Sequence, residues 1–183
     1  MLELNFKPFP VLTTNRLVMR RATTGDAPAL FPMRSDPEVM RYISRPLAKT
    51  VADVVKLINI IDDQLNANKG ITWAITLKDD DALIGTIGFW NIAAEHHRGE
   101  IGYLLSPTYQ SKCIMHEALT AVLAYGFEVL KLHSAEAIVQ PDNRASINLL
   151  EKHGFIREGY FKENYYFEGR FSDSAVYSLL TTI

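Results

Sequence analysis

The sequence predicts an α/β fold in which helices pack on one mixed β-sheet, and three observations carry that reading. The apolar period changes from helical spacing to strict alternation at Ile71, so helices come first and a run of strands follows in the middle of the chain. From Arg98 onward strand, helix, strand and helix patterns succeed one another, which is a βαβ unit. Two further alternating runs flank Glu168-Gly169, a turn pair suited to a hairpin.

Each element has its own signal. Arg16-Leu17-Val18-Met19-Arg20 alternates and reads as the first strand, with Thr13-Thr14-Asn15 as loop before it. Asp26 to Arg34 has a short helical pattern. Asp36-Pro37-Glu38 can open another helix, because Asp caps free amides and Pro suits the first helical position. A stronger helix starts at Thr50: Val51, Val54, Val55, Ile58, Ile61 and Leu65 share one face, and Asn68-Lys69-Gly70 ends it. Ile71, Trp73, Ile75 and Leu77 line one face of a second strand, and Lys78 to Asp81 is the turn after it. Ala82–Ala94 and Arg98–Leu105, separated by the His96-His97 loop, complete an antiparallel meander.

A loop from Ser106 to Lys112 then leads into a helix from about Cys113 to Leu130, whose apolar face is Ile114, Ala118, Leu119, Val122, Leu123 and Phe127. Ser134–Gln140 is a fifth strand. Asn143–His153 is a helix ended by Gly154, and Phe155–Phe167 with Phe171–Leu180 makes the terminal hairpin. Nothing resembling a linker or repeat divides residues 1–183, so one domain is expected.

Composition narrows the function. The 183 residues are 48% hydrophobic, which suffices for a sizeable core. With 19 Lys and Arg against 21 Asp and Glu, the net charge of -2 argues against nucleic acid or an anionic membrane as partner. The single cysteine, Cys113, excludes an intramolecular disulfide and a multi-thiolate zinc site. No basic segment followed by an apolar run opens the chain, and no stretch approaches the roughly 20 apolar residues that span a bilayer, so a cytoplasmic protein is expected.

The strand-to-helix junction at residues 98–115 is where chemistry can sit. A helix that starts directly after a strand offers unpaired amides and a positive dipole end, which together hold phosphate, and Lys112 adds a cation. Taken alone it is equally an ordinary turn, and it lacks the glycines and Lys-Ser/Thr pair of a Walker loop. Glu100 alone reads as a carboxylate on a sheet edge. Asn143 and Ser146 stand where both residue types commonly cap a helix. The tyrosines 103, 109, 160, 165, 166 and 177 fit core or pocket wall, His116 fits a half-exposed helix position, and His96-His97 lacks the spaced partners of a metal site.

Thr14-Asn15-Arg16-Leu17-Val18-Met19-Arg20, Ser35-Asp36-Pro37-Glu38-Val39-Met40, Glu100-Ile101-Gly102-Tyr103, Tyr109-Gln110-Ser111-Lys112-Cys113-Ile114-Met115, Asn143-Arg144-Ala145-Ser146 and Glu151-Lys152-His153-Gly154-Phe155 occur in that order. Together they resemble the landmarks of the GNAT acetyltransferases, in the RimJ/RimL branch that acetylates ribosomal-protein N-termini. The resemblance implies a GNAT fold, α/β of the α+β kind, with a mixed, mostly antiparallel central sheet of about seven strands flanked by helices. The fourth and fifth of these, 98–105 and 134–140, would splay to admit CoA. It also implies acetyl-CoA as cosubstrate with no metal, an amine as acceptor, and a possible homodimer through the terminal strands.

Roles follow from the same resemblance. Glu100 would be the general base, directly or through water, and Ser146 would stabilise or protonate the leaving thiolate. Tyr103, Leu104 and Leu105 would line the pantetheine arm, with a backbone amide near Leu104 as oxyanion donor. Gln110, Ser111, Lys112, Cys113, Ile114 and Met115 would hold the pyrophosphate, and Asn143 the pantetheine or a water. The acceptor pocket would lie between the helices of residues 36–68 and the hairpin around Tyr165 to Ser172.

One departure stands out. Cys113 occupies a place where the family's loop usually has glycine, which permits close backbone approach and unusual φ values. It would be tolerated if its side chain turns away and its backbone stays helical. It could instead weaken CoA binding, leave a silent acyl-CoA-binding relative, or, beside Lys112 at a helix N-terminus, make a reactive thiol. For the acceptor, neutralising an α-amine of pKa ~8 at pH 7 costs ~1.4 kcal/mol, against ~4.6 kcal/mol for a lysine of pKa ~10.4. That favours a protein or peptide N-terminus over a lysine side chain, with amino acids, polyamines and drugs as other primary amines.

Overall fold

The computed structural model describes residues 2–181. Its strands are β1 (Leu12–Thr13), β2 (Leu17–Arg21), β3 (Ile71–Leu77), β4 (Asp80–Ala93), β5 (Arg98–Leu105), β6 (Ser134–Val139), β7 (Ile156–Phe167) and β8 (Arg170–Leu180). The helices are α1 (Ala27–Ser35), α2 (Val51–Asn66), α3 (Ile114–Ala124) and α4 (Arg144–Lys152). All strands join one sheet in the order β1-β2-β3-β4-β5-β6-β8-β7. Only β5 and β6 run parallel, as the crossover through α3 requires.

The predicted α/β class and the meander hold, with four differences. The sheet has eight strands, because Thr13, expected as loop, and Leu12 before it pair with Val18 and Met19. The turn after β3 is tighter than expected, since Leu77 already pairs with Asp80. No helix opens at Asp36. Its carboxylate does accept from the Glu38 amide (2.8 Å), as a cap would, but residues 37–42 form successive turns. Met40 N reaches Asp36 O (3.0 Å) as in a helix, but Ile43 N bonds three residues back to Met40 O (2.8 Å) and Arg45 N two back to Ile43 O (2.7 Å), so the first turn does not propagate, and Pro46 disfavours helical backbone at Arg45. Finally, the helix expected to run to Leu130 stops being α-helical at Ala124, and Tyr125–Val129 forms a π turn closed by Leu130 N to Tyr125 O (3.1 Å).

That π turn places Gly126 against a ring. A Cβ there would come within 2.6 Å of Phe89, so the absent side chain is what lets β4 pack tightly under the end of the helix. The core has two parts, one on each face of the sheet. Leu119 and Val122 of α3 and Leu150 of α4 join Trp73, Ile87 and Phe89 on one face. Leu30 of α1 and Val54 and Ile58 of α2 join Ala74, Leu83 and Leu104 on the other.

Candidate active site

The middle of the sheet is forked. β5 and β6 pair only at Arg98–Ser134, Gly99–Ala135 and Glu100–Glu136, and beyond Glu100 the two strands part while β6 stays bonded to β8. This is the splay that the sequence resemblance implies. Glu100 sits at its apex.

Side chains alternate across β5, so Ile101 points to the α3/α4 core while Leu104 packs with α1 and α2. Glu100 shares the parity of Leu104. Burial pushes its carboxyl up to about 7, and the neighbouring Glu136 adds repulsion. The polar groups of Asn91 and Trp90 nearby, and the charge of Arg98, oppose the rise without cancelling it. Arg98 is shared, since its Nη1 lies 3.7 Å from Glu136 Oε2. Trp90 stands in a bulge of β4, half-exposed, and lies so close over Gly102 that a Cβ there would sit 3.3 Å from its Cδ1.

On the other parity Tyr103 reaches α4. Its hydroxyl lies 2.7 Å from Ser146 Oγ, and burial pushes the phenol up to about 12 against the help of that hydrogen bond. Asn143 caps α4, its Oδ1 accepting from the Ser146 amide at 3.2 Å, and that cap fixes the first turn in which buried Ser146 sits.

The loop before α3 is braced from the turn between β1 and β2. Arg16 donates to Glu117 (Nε–Oε2 2.7 Å) and to the Lys112 carbonyl (3.0 Å), and Thr14 Oγ1 donates to Glu117 Oε1 at 2.5 Å. Gln110 turns back, its Nε2 donating to Leu105 O at 3.2 Å. The first bond of α3 is Glu117 N to Cys113 O (3.1 Å), which leaves the amides of Ile114, Met115 and His116 free as helix geometry dictates. The Ile114 and Met115 side chains are buried in the core, so only their backbone faces the loop. Lys112 Nζ rests 5.5 Å from the Tyr109 ring centroid.

Cys113 meets one of its two conditions for tolerance, the outward side chain, and not the other. Its backbone does not stay helical: φ is 58° and ψ 17°, left-handed, as at Ser111, with the side chain exposed. Here the chain takes the conformation that glycine suits and carries a Cβ through it. His116 is half-exposed as expected, although its Nδ1 is buried without a partner.

The structure thus brings together Glu100, Tyr103, Leu104 and Leu105 on one strand, Asn143 and Ser146 across the fork, and residues 110–115 at its mouth. Trp90, Asn91, Glu136 and the Arg16–Glu117 brace were not singled out in the sequence. Their signals were faint: a Trp-Asn pair inside a strand, and an acidic residue in the first turn of a helix. Among the described residues, no group of three or more His, Cys, Asp or Glu side chains is placed to hold a metal.

Residues 16–156 match the family described as the acetyltransferase (GNAT) domain. The chain is 37% identical over 172 residues to the uncharacterized N-acetyltransferase YoaA of Bacillus subtilis, covering 94% of this chain and 97% of that one. Identity is 33% over 104 residues to the [ribosomal protein uS5]-alanine N-acetyltransferase of Escherichia coli, covering 56% of this chain and 54% of that one. The crystal structure of a GNAT-family acetyltransferase from Bacillus anthracis superposes with a TM-score of 0.83 at 33% identity, covering 93% of this chain and 98% of that one. The forked sheet and these likenesses agree, and the chain belongs to the GNAT family as an N-acetyltransferase that moves an acetyl group to an amine.

Proposed function

We propose that the chain is a single-domain cytoplasmic enzyme that transfers the acetyl group of acetyl-CoA to the α-amine of a protein or peptide N-terminus, with Glu100 as base. The observation that carries the reading is the carboxyl of Glu100, raised to about 7 at the apex of the fork. A base must accept a proton near working pH, and an α-amine has only about one pH unit to lose before it becomes nucleophilic. The Escherichia coli relative, by its name, acetylates an alanine of ribosomal protein uS5, which favours a protein amine.

The roles of the other residues follow. The free amides at the start of α3, with Lys112, hold the pyrophosphate of the cosubstrate, and the Arg16–Glu117 brace keeps that loop in place. Tyr103, Leu105 and Asn143 border the pantetheine arm, and a β5 amide near Leu104 steadies the oxyanion. Glu100 takes the amine proton, directly or through one water. Ser146, held by Tyr103, gives a proton to the departing thiolate. A homodimer through the terminal hairpin belongs to the same proposal, since outer strand β7 leaves Ile156, Tyr160, Phe161 and Tyr166 exposed.

Thiol release over a panel of N-terminal peptides, amino acids and polyamines tests this. Peptides are expected to turn over best. Glu100→Gln is expected to lower kcat about 100-fold or more while acetyl-CoA affinity stays unchanged. Full activity in that variant removes the base assignment, and turnover of small amines alone removes the peptide acceptor.

A further inference from the structure

The segment joining α1 to α2 leaves a cavity of about 310 Å³ lined by Arg34, Pro46, Leu47, Lys49, Asp53 and Leu57, among others. Its charges do not balance. Arg34, in the last turn of α1, is half-buried, and no carboxylate pairs with it among the described residues. Burial and the nearby charge of Arg45 both lower its proton affinity. The acid in the lining is already engaged: Asp53 accepts from the amides of Lys49 (3.1 Å) and Thr50 (3.0 Å) and from Thr50 Oγ1 (3.0 Å), and its other oxygen faces Lys56 Nζ at 3.4 Å. A guanidinium partly withdrawn from water beside a second cation loses solvation that a counter-ion would restore. Its planar fork of donors matches a carboxylate in two parallel hydrogen bonds, and walls of Pro46, Leu47 and Leu57 lower the dielectric around such a pair.

The cavity's place in the fold says whose carboxylate this is. Val54 and Leu57 of its wall belong to the cluster that packs on Leu104, so the cavity lies on the face of the sheet that Glu100 shares. Ser44, in the same connecting segment, accepts from Gln140 Nε2 (3.5 Å) just beyond the end of β6. One segment therefore borders both the open end of the fork and the cationic cavity.

We propose that this cavity binds a side-chain carboxylate of the acceptor polypeptide, a few residues beyond the amine being acetylated, and so selects acidic N-terminal sequences. The proposal rests on the peptide-acceptor reading above. Its test uses free-amine peptides that are neutral except for one glutamate moved along the chain. With the wild type, one glutamate position is expected to lower KM about tenfold relative to the neutral peptide. Arg34→Gln is expected to erase that gain while KM for the neutral peptide, kcat and acetyl-CoA affinity stay unchanged, and Arg34→Lys to restore part of it. Lys49→Gln, at an exposed position, should weaken the acidic peptide in the same direction and guards against misfolding of the Arg34 variants. The same KM at every glutamate position, or an equal loss for all peptides in Arg34→Gln, overturns the proposal.

Fluorescence anisotropy with an N-acetylated acidic peptide separates this failure from that of the function. Arg34-dependent binding of the blocked peptide, even with no turnover of the free one, supports the cavity and rejects the peptide-acceptor reaction. No binding, or displacement by succinate as effective as by the acidic peptide, rejects the cavity's role.

Discussion

At Cys113 the backbone enters the left-handed region (φ 58°) with an exposed side chain, so the residue carries the strain of a Cβ without the packing that would offset it. That strain is roughly 1–2 kcal/mol, and a glycine would relieve it while adding some freedom to the unfolded chain. Cys113→Gly is therefore expected to stabilise the fold by about 0.5 kcal/mol, raising Tm by about 1–2 °C in thermal unfolding. The same substitution leaves the amides of α3 where they are, so acetyl-CoA affinity should hold or rise in titration calorimetry. Tyr103 makes a second prediction at this scale. Its hydroxyl is the neighbour that orients Ser146 Oγ (2.7 Å), and Tyr103→Phe removes that partner without changing the ring. If Ser146 protonates the thiolate, kcat should fall about tenfold or more with KM for acetyl-CoA little changed, and unaltered kcat would assign Tyr103 to packing.

At the scale of elements, what the sequence showed and what it hid divide by range. Thr50 and Asp53 stand three apart, and in the structure Thr50 Oγ1 accepts from the Asp53 amide (3.3 Å) while Asp53 accepts from that of Thr50 (3.0 Å). This capping box needs no other part of the chain, so the helix start at Thr50 was legible, and Thr50→Ala is expected to lower Tm by about 3 °C in the same unfolding assay. Asp36 shows the same local chemistry without a helix, because capping supplies a start and the turns that follow tighten instead of propagating. The two-residue β1 and the π turn at 125–129 have no period long enough to read. In the site, Glu100, Tyr103, Asn143 and Ser146 were named in the sequence through an ordered resemblance. The brace of Arg16 on Glu117 spans 101 residues of sequence, and the pressure of Glu136 on Glu100 exists only because two strands meet before they part. Such pairings are made by the fold and leave no local pattern.

The charge balance of the whole molecule ties stability and activity to pH in opposite senses. Asp26 and Glu117 resist burial through their partners, Arg20 with Thr23 and Thr14 with Arg16, and both are held below the ordinary carboxylate range. Their stability is present above that range and is lost as pH falls through the lowered values. Glu100 has the reverse sign. Its carboxyl is raised from 4.5 to about 7, so the folded chain holds a proton that the unfolded chain releases, and its contribution, full below 4.5, fades as pH rises to about 7. In that same window a base becomes competent, so kcat/KM for an N-terminal peptide is expected to climb with pH through about 7 while Tm declines. Glu100→Gln separates the two effects. It should abolish the climb, match the wild-type Tm near pH 4.5 and exceed it at pH 8, where the wild type carries an unneutralised carboxylate at the apex of the fork. A variant less stable than wild type at pH 8 would mean that Asn91, Trp90 and Arg98 hold Glu100 as a stabilised anion, and the pH-rate profile would then have to arise from the acceptor amine instead.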